Sequence, residues 1–590
     1  MKHYRIYRAV LMALIVTATA ACSSELTGTE GTQPQPVEPG EQITVIATQQ
    51  TENGQKDSPQ TRVNYDFLDN GMVAVTWAKD DVFYVGNEGW MGQSNKLITD
   101  PASGFKSFKL NGEGGSKKGE FTGILPDNTG DVEYLYAIYG TANAHPEMIT
   151  WGNDIEFPYT KQCQTANDNT AHLAGYDFMT ATTIYKKGTT PEFKFNRLGA
   201  MMKFDLTLPE VSIVKELSLS AVLDNNSVFC SKTKWEEGKK LAYHTLSNYM
   251  TLKFGTDDNG ISIDGTLTAY MMVAPTNLSI YPIDGEEILL TVKDQDNKLH
   301  IAILKGSKIE AGKCYTVTQK LAPAFADGSG IAADPYLIST AEQLRNLSRL
   351  VNTPPLCNSF KDKYYQLTTD IDLENKPWTP IGYNYSTTFN GHFSGKLTDG
   401  KAPTISGLSI TQDTSDGYNG LFGYVSVGSI SNITIGGSIT VNYYIGSIAG
   451  NISGGTLIEN CTSTCNITTT TNIGYAGGIV GIIEGNATLT NCTYTGTATT
   501  AEGKQPGGIV GYINLIGSNK KTVTLTGCSS TPTNTIIGLI NPDGGSSSEI
   551  IIKKDADDTG VTLKGNSGDS YPQTPGATSP SLPGGTDIND

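Results

Sequence analysis

The pentapeptide GGIVG stands at 477–481 and again at 507–511, with the variants GSIAG at 446–450 and GLFG at 420–423. These segments, which we call the glycine anchors, recur roughly every thirty residues, and a fixed period of that size is typical of stacked repeats. A single repeat cannot bury its own apolar face, so successive repeats must stack and share one core. The anchors therefore predict a solenoid in which their glycines let neighbouring coils or a turn approach closely.

A second four-residue motif follows each glycine anchor, and its first and fourth positions are always apolar. The third position is Asn432, Asn460, Asn491 or Gly527, and the fourth is Ile433, Cys461, Cys492 or Cys528. Asn and Gly both tolerate a positive φ, which turns the chain and breaks the alternation of a strand. Two apolar residues three positions apart then both point inward. We predict that the third positions are the corners of a β-helix-like solenoid and that the fourth positions form a buried ladder, with strands about 4.8 Å apart.

The composition of the 590-residue chain indicates several all-β domains. Charged residues make up 17 % of the chain and the formal net charge is −17, which argues against nucleic acid as a partner. Gly, Thr, Asn and Tyr are abundant, while long amphipathic helical runs are scarce. That balance is typical of β-rich proteins.

The first residues have the pattern of a targeting segment. MKHYRIYR is basic, AVLMALIVTATAA is apolar, and Cys22 follows directly after small residues. This pattern resembles the lipobox of bacterial lipoproteins, although Thr19 stands where Leu is usual. We predict a signal peptide over 1–21, a lipidated (palmitate-bearing) Cys22 that anchors the protein in the cell outer membrane, and a flexible tether over 22–41. The alternative is an ordinary secretory signal followed by a chance cysteine.

Between about 43 and 323 the chain alternates short β-branched and aromatic runs with turn signals, which predicts two β-sandwiches in series. Four segments in order, TRVNYDFLDNGMVAVTWAKDDVFYVGNEG, KGEFTG, FKFNRLGAMMKFDLTLP and IEAGKCYTVTQKLAP, resemble the fimbrillin-like proteins of Bacteroidetes. The resemblance implies two transthyretin-like sandwiches, over 42–207 and 208–323, in a subunit of surface pili. It also implies partners that are other fimbrillin-type pilus subunits, joined by donor-strand addition.

The same resemblance implies a candidate site of proteolytic processing. Shaft subunits of that family are matured by proteolysis after an Arg near the N-terminus, and the first Arg after Cys22 is Arg62. The resemblance therefore makes Arg62 a candidate cleavage site. The alternative is an ordinary surface Arg at the start of a strand.

A helix-containing lead-in precedes the repeats. Ser339 and Glu342 have the spacing of a capping box, and Leu344, Leu347 and Val351 follow on one helix face. The stretch DPYLISTAEQLRNLS, the later DIDL and the repeats themselves resemble the GLUG-type repeats of bacterial surface proteins. The resemblance implies a lead-in over 324–419 and a solenoid over 420–565, displayed outside the cell, and it implies no reaction. The Pro-, Gly- and Ser-rich tail over 566–590 is typical of disorder.

The reactive side chains predict no catalytic, metal or cofactor site. The cysteines of the ladder stand where the first repeat has Ile433, which favours buried thiols, although pairing of neighbouring cysteines stays open outside the cytoplasm. The chain has no HExxH, GxSxG or P-loop motif, and Glu459 and Glu484 do not share a repeat position. Asp370 and Asp372 could hold a cation, but they fit the orientation of a turn better. We therefore expect no enzyme.

The outside of the repeats is the remaining candidate site. It is nearly uncharged and rich in Thr, Ser and Asn, with the tyrosines Tyr443, Tyr444, Tyr475, Tyr494 and Tyr512. These side chains suit a face that binds a host or bacterial surface glycan or protein, or they only solvate the coil. We predict a surface adhesin in the outer membrane or a fimbrium, as a pilus tip or accessory subunit with the solenoid as adhesive module. One alternative is a glycan-binding lipoprotein outside any pilus. The other is a polysaccharide-active enzyme, but the repeats offer no pair of carboxylates for that chemistry.

Overall fold

The computed structural model describes residues 42–49, 66–67, 73–74, 76–88, 96–99, 103–140, 149–151, 154–222, 228–236, 240–276, 287–414, 416–471, 474–501, 506–515, 519–530, 535–541, 548–555 and 561–564. The predicted signal peptide, tether and tail, with Cys22 and Arg62, lie outside these residues. Strand makes up 55 % and helix 6 %, which confirms the predicted all-β class.

Within the described residues, the N-terminal part contains thirteen strands and a 3₁₀ turn. Their bounds are β1 Gln42–Gln49, β2 Asp66–Phe67, β3 Val73–Ala74, β4 Val82–Gly86, β5 Lys96–Leu97, β6 Lys106–Leu110, β7 Lys118–Ile124, β8 Val132–Tyr139, β9 Ile149–Trp151, β10 Asp154–Pro158, β11 Gln162–Gln164, β12 Met179–Lys186 and β13 Glu192–Arg197, with the 3₁₀ turn Ala171–Gly175 before β12.

Seven of these strands form one sheet that closes on itself. Its order is β1-β13-β12-β8-β4-β6-β7, and it closes because β1 pairs with β13 in parallel and with β7 antiparallel. The alternation of β4, β6 and β7 turns Phe83, Phe108 and Phe121 into the interior, where all three are fully buried. Trp77 lies beside them and donates its indole N–H to the Ala47 carbonyl (3.1 Å). The first predicted sandwich is thus closed along its edge into a barrel.

The second sandwich follows directly. The strands of this part of the chain are β14 Ala200–Thr207, β15 Ile213–Ala221, β16 Phe229–Glu236, β17 Lys240–Ser247, β18 Tyr249–Phe254, β19 Ile261–Ser262, β20 Thr266–Val273, β21 Glu287–Asp294, β22 Leu299–Lys305, β23 Cys314–Lys320 and β24 Ala322–Pro323. Of these, β16 and β17 pair in a separate sheet, in the order β17-β16-β10-β9-β5. A sheet in the order β11-β18-β15-β21-β22-β24 packs on a three-stranded sheet, β20-β14-β23. Leu217 and Leu219 of the first sheet and Phe204 and Leu206 of the second fill the core between them. The predicted boundary after 207 falls at the end of β14, whose partners β20 and β23 both lie in this sandwich.

The predicted helix is α1, Ala341–Asn352, followed by the short α2, Cys357–Phe360. Leu344, Leu347 and Val351 are fully buried on one face of α1. The N-cap differs from the prediction by one residue, because the Thr340 side chain, and not that of Ser339, accepts from the backbone N–H of Gln343. Gln343 in turn accepts from the Ser339 N–H (2.8 Å), while Glu342 pairs with Arg349 (2.6 Å).

The remaining strands form the solenoid, which has about seven turns. They are β25 Tyr336–Ile338, β26 Tyr364–Leu367, β27 Ile371–Asp372, β28 His392–Gly395, β29 Thr404–Ile410, β30 Tyr418–Asn419, β31 Phe422–Ser426, β32 Ser429–Ser431, β33 Thr434–Val441, β34 Tyr444–Gly446, β35 Ala449–Ser453, β36 Thr456–Glu459, β37 Thr462–Ser463, β38 Asn466–Thr469, β39 Tyr475–Gly477, β40 Val480–Ile483, β41 Ala487–Thr490, β42 Thr493–Tyr494, β43 Ala498–Thr499, β44 Gly507–Asn514, β45 Thr522–Thr526, β46 Ser529–Ser530, β47 Thr535–Asn541, β48 Glu549–Lys553 and β49 Val561–Lys564, with a 3₁₀ turn at Tyr385–Thr387.

Each coil contributes strands to three sheets, and the coils stack in parallel. The first sheet runs β25-β26-β28-β32-β36-β41-β45-β48 and ends on β49, the second runs β27-β29-β33-β37-β42-β46, and the third contains β30, β31, β34, β35, β39, β40, β44 and β47. Neighbouring strands are in register, so that Ile430, Ile458 and Leu489 follow one another along the interior. This is the predicted solenoid, and its presence is confirmed.

The four corner positions share a left-handed backbone. Asn432, Asn460, Asn491 and Gly527 have φ values of 56°, 52°, 52° and 62°. The Asn side chains also form a ladder, because the Asn460 amide donates to Asn432 (3.1 Å) and the Asn491 amide donates to Asn460 (3.1 Å). Local side-chain bonding of this kind offsets part of the cost of a positive φ in a residue that carries a Cβ.

The fourth positions line the interior except at the last coil. Ile433, Cys461 and Cys492 are fully buried, while Cys528 is only partly buried. Cys528 departs from the predicted buried ladder because it is the last of the four corners, and no described corner lies beyond it to cover the thiol. No disulfide joins the eight cysteines within the described ranges.

The glycine anchors lie where the backbones of successive coils meet. A Cβ added at Gly481 would stand 2.6 Å from the Gly450 carbonyl oxygen, and one added at Gly511 would stand 2.7 Å from that of Gly481. These distances are too short for a side chain, so the anchors need glycine for the close approach of neighbouring coils.

The solenoid and the second sandwich share one core. Val222, Leu289 and Ile301 of the sandwich belong to the same buried cluster as the interior of the solenoid. Phe325 lies at the junction, 7 % exposed, and its ring stacks on Tyr336 with centroids 4.6 Å apart. None of the helices in the described part of the chain is both long enough and apolar enough to cross a bilayer.

Candidate functional site

A row of tyrosines runs across the coils on the third sheet of the solenoid. Tyr418, Tyr444 and Tyr475 occupy the same register position in three successive coils, two residues before the first glycine of each anchor. Tyr512 directly follows the last glycine of its anchor, and its ring stacks on that of Tyr475. The repeat therefore places an aromatic side chain at the same point of three successive coils, about one strand spacing apart.

The rings of this row stack on one another. The centroids of Tyr444 and Tyr475 are 5.8 Å apart at 7°, those of Tyr475 and Tyr512 are 4.5 Å apart at 14°, and those of Tyr418 and Tyr444 are 5.6 Å apart at 32°. Stacked rings cover one another's faces, so a ligand meets their edges and hydroxyl groups. Tyr385 closes the row, perpendicular to Tyr418 and 53 % exposed. We call Tyr385, Tyr418, Tyr424, Tyr444, Tyr475 and Tyr512 the tyrosine strip.

One carboxylate and one amide lie within the tyrosine strip. Glu484 Oε2 accepts from the Tyr385 hydroxyl (3.1 Å), from the Tyr418 hydroxyl (3.5 Å) and from the Asn451 amide. Asn451 is fully buried, and its Oδ1 has no hydrogen-bond partner among the described residues. The Tyr424 hydroxyl is bonded to Ser453 (2.8 Å) at the neighbouring position. The site is therefore rich in hydrogen-bond acceptors.

Burial and the Glu484 carboxylate keep the tyrosines protonated. Burial raises the pKa of Tyr385, Tyr418, Tyr444 and Tyr512, and Glu484 adds to the rise in each case. Their hydroxyls therefore act as neutral donors and acceptors near neutral pH. Neutral hydroxyls of this kind can exchange hydrogen bonds with a polar ligand.

Sequence reasoning named part of this strip and missed the rest. Of the five tyrosines it named, Tyr444, Tyr475 and Tyr512 lie in the strip, and Tyr443 is 41 % exposed at its margin. Tyr494 is a correction, because it is fully buried in the core and donates to the Cys465 carbonyl (3.0 Å). The strip members that were missed are Tyr385, Tyr418 and Tyr424, with their neighbours Asn451 and Glu484. A tyrosine two residues before an anchor was the signal for Tyr418, whereas nothing local pointed to Tyr385, 99 residues from Glu484.

The other predicted chemical groups serve the backbone. Asp372 accepts from the Glu374 N–H (2.8 Å) within a local turn, whereas Asp370 accepts from the N–H of Thr404 (2.7 Å), 34 residues further along the chain. Burial raises the pKa of Cys461 and Cys465 to about 12, which keeps both as thiols. The described residues contain no group of three or more His, Cys, Asp or Glu placed to hold a metal ion.

Comparison with known proteins gives short or distant likenesses. No family model matches the chain. A protein of Evansella cellulosilytica with the name "Putative Gly-rich membrane protein" is 32 % identical over 157 residues, which are 25 % of this chain and 16 % of that protein. Halomucin of Haloquadratum walsbyi is 31 % identical over 137 residues, 22 % of this chain and 1 % of that protein. The chain thus spans about a sixth or less of these relatives.

Solved structures of bacterial surface proteins also align with the chain. A "putative cell adhesion protein" of Bacteroides ovatus ATCC 8483 is 14 % identical with a TM-score of 0.29, covering 48 % of this chain and 95 % of that chain. A fimbrial assembly protein of Parabacteroides distasonis ATCC 8503 is 10 % identical with a TM-score of 0.23, covering 50 % and 92 %. The fimbrial anchor protein Mfa2 of Porphyromonas gingivalis is 12 % identical with a TM-score of 0.22, covering 45 % and 80 %.

Proposed function

We propose that this protein is a cell-surface adhesin whose solenoid binds a surface glycan or protein through the tyrosine strip. The observation that carries the proposal is the strip itself, an in-register row of aromatic side chains on a nearly uncharged coil. Aromatic rings supply apolar area at low cost in conformational entropy, and their hydroxyls supply hydrogen bonds, so they suit recognition of a polar, ring-shaped ligand. In this proposal the two sandwiches are a stalk, held at the outer membrane through a lipid on Cys22.

An open sheet edge in the second sandwich supports a place in a pilus. Among the described strands β23 pairs with β14 alone, and β24 covers β22 only at His300 and Ile301. A groove of about 470 Å³ lies between these edges, and Met202, Leu219 and Phe229 form part of its apolar lining. An extended segment of another subunit that added to β23 would satisfy the edge by backbone hydrogen bonds and bury this lining. Donor-strand addition is thus the proposed mode of assembly, with this chain as tip or accessory subunit.

The place in a pilus is tested by immunogold electron microscopy of intact cells, with an antibody raised against residues 420–540. Gold at filament ends is the expected result. Gold spread over the cell body, with bare filaments, would contradict the pilus role and favour the second candidate, a lipid-anchored glycan-binding protein outside any pilus. N-terminal sequencing of the filament-bound form then tests cleavage after Arg62.

The role of the strip is tested by one exposed tyrosine and a matched control. Tyr385 is 53 % exposed and donates to Glu484, while Tyr249 on β18 is 41 % exposed and lies far from the strip in sequence. We expect Tyr385→Ala to lower binding to arrayed surface glycans and glycoproteins about tenfold, because one ring and one hydroxyl are lost. Tyr249→Ala should bind like the natural protein. Equal binding by both variants would remove the strip from the ligand site.

A further inference from the structure

One stretch of the solenoid sequence, which contains Tyr418, Tyr444 and Tyr475, carries charge of a single sign. Residues 402–503 contain no Lys, Arg or His but five acidic residues, Asp413, Asp416, Glu459, Glu484 and Glu502. The formal charge of this stretch is therefore −5. A surface with one sign of charge repels ligands of the same sign and attracts those of the opposite sign.

Three of these carboxylates lie at the tyrosine strip. Glu484 lies within it, and Asp416 accepts from the backbone N–H of Tyr385 (2.9 Å). Asp413 accepts from the backbone N–H of Tyr443 (3.3 Å) and from the Asn419 amide (3.2 Å). None of the ion pairs found in the described residues includes Glu484, Asp413 or Asp416.

An independent observation is a buried acceptor at the strip that has no donor among the described residues. Asn451 is fully buried beside Glu484, and its Nδ2 donates to that carboxylate while its Oδ1 accepts from no described group. A buried acceptor without a donor is unfavourable. Within the described part of the chain, the strip therefore has an unmatched acceptor in Asn451 and an unpaired carboxylate in Glu484. An ammonium group complements both kinds of group, because it carries three donors and a full positive charge.

We propose that the strip recognises an amine-bearing saccharide, a hexosamine with a free amino group, and that Glu484 is the residue that selects for the charged amine. This inference rests on the proposed adhesive function and names its ligand class. The sugar ring packs against Tyr385 and its neighbours, and the ammonium group lies against the Glu484 carboxylate. Saccharides that carry sulfate or carboxylate groups are disfavoured, since the carboxylates of Glu484, Asp416 and Asp413 repel them.

The experiment compares two hexasaccharides that differ only at the amine, by calorimetric titration of the full-length protein. One is the hexamer of glucosamine, and the other is its N-acetylated counterpart. The titrations are run at a pH below the pKa of the glucosamine amines, so that these carry a positive charge. We expect the glucosamine hexamer to bind about tenfold more tightly at low salt, and we expect this advantage to shrink as salt is added. Glu484→Gln should abolish the advantage. Glu459→Gln, which removes the same charge from β36 on another sheet, should keep it.

The possible outcomes separate the inference about the amine from the proposed adhesive function. Equal affinity for the two hexamers, or an unchanged preference in Glu484→Gln, would overturn the amine inference and leave glycan binding by the strip intact. Binding of neither hexamer, together with binding of another glycan that Tyr385→Ala weakens, would also overturn the inference alone. If the natural protein bound none of the glycans tested, the proposed function would be overturned as well. If Glu484→Gln does not fold, the preference of the natural protein and its salt dependence still decide.

Discussion

Asp81 is a residue whose environment makes the N-terminal barrel sensitive to pH. Burial raises its pKa to about 6, although the Ala78 N–H (2.7 Å) and the Tyr139 hydroxyl (2.9 Å) both donate to it. The ordinary value for this carboxyl is 3.8, so the folded state binds its proton more tightly than the unfolded state does. The stability contributed by Asp81 is therefore full below about pH 4 and is lost as the pH rises through about 6. At neutral pH the loss amounts to roughly 2–3 kcal/mol.

We expect Asp81→Asn to stabilise the barrel at neutral pH and to change nothing near pH 4, since Asn cannot ionise. Hydrogen exchange of the β4 peptide measures this, and at neutral pH the variant should exchange roughly thirty- to a hundredfold more slowly than the natural protein. Asp80→Asn is the control, because Asp80 is 65 % exposed and pairs with Lys109 at the surface. A difference between Asp81→Asn and the natural protein that does not vary with pH would contradict the titration.

Single residues were predictable where one physical property decided them. The corner positions needed a tolerance of positive φ, and the structure gives φ of 52° at Asn460 and Asn491 and 62° at Gly527. Tyr494 was assigned to the outside because its type suits a surface, but its position two residues after the buried Cys492 turns it into the core. The helix cap shifted from Ser339 to Thr340 because both side chains can cap, and the spacing alone does not choose between them.

At the scale of the element, the glycine anchor decides how closely two coils approach. We expect Gly481→Ala to lower the free energy of unfolding of the solenoid by about 1–3 kcal/mol, because its Cβ would stand 2.6 Å from the Gly450 carbonyl oxygen. Thermal unfolding followed by circular dichroism measures the change. Gly436→Ala is the control, since the nearest atom to its Cβ is the flexible Thr464 hydroxyl, at 2.9 Å. Equal destabilisation by the two variants would contradict close approach as the reason for the anchor.

The elements of the solenoid were predictable from their period, and the site between them was not. The recurrence of anchors and corners predicts where each coil begins and turns. The strip depends on which residues of different coils become neighbours, and Tyr385 meets Glu484 across 99 residues. Glu484 was interpreted as an isolated acid because it shares no repeat position with Glu459. It became part of a site only when the register brought Asn451 and two tyrosines to it.

At the scale of the whole molecule, the junction at Phe325 connects the second sandwich to the solenoid. We expect Phe325→Ala to open the link over 324–335 to proteases, because the ring is 7 % exposed and contacts Tyr336 and Tyr365, with centroids 4.6 and 5.6 Å away. Truncation of a buried Phe to Ala lowers the free energy of unfolding by about 3–5 kcal/mol where the surrounding residues cannot fill the cavity. Limited proteolysis with mass spectrometry of the fragments measures the opening.

The control for this prediction is Phe229→Ala, which removes the same side chain from the core of the second sandwich. It should loosen that sandwich without a specific cut at 324–335. Equal cleavage of this link in both variants would show that Phe325 has no special role at the junction.

The overall architecture was predicted as a series of all-β units, and that class is confirmed. Two features of the whole molecule had no signal in the sequence. The barrel closes because β1 pairs with β13 across about 150 residues, and pairing at that range leaves no local pattern. The shared core arises because Leu289 and Ile301 belong to the same buried cluster as the interior of the solenoid. In the sequence, an apolar residue that faces the solenoid cannot be distinguished from one that is buried within its own sandwich.

The final strand of the solenoid has a consequence for solubility. β49 pairs antiparallel with β48, whereas the strands from β25 to β48 in the same sheet run parallel. A stack of in-register parallel coils is geometrically close to a fibril, and an uncovered terminal coil would be a template on which a second molecule could add. The reversed strand presents the wrong polarity for another parallel coil. The first sheet thereby ends on a reversed strand, which disfavours the end-to-end addition of a second molecule to that sheet.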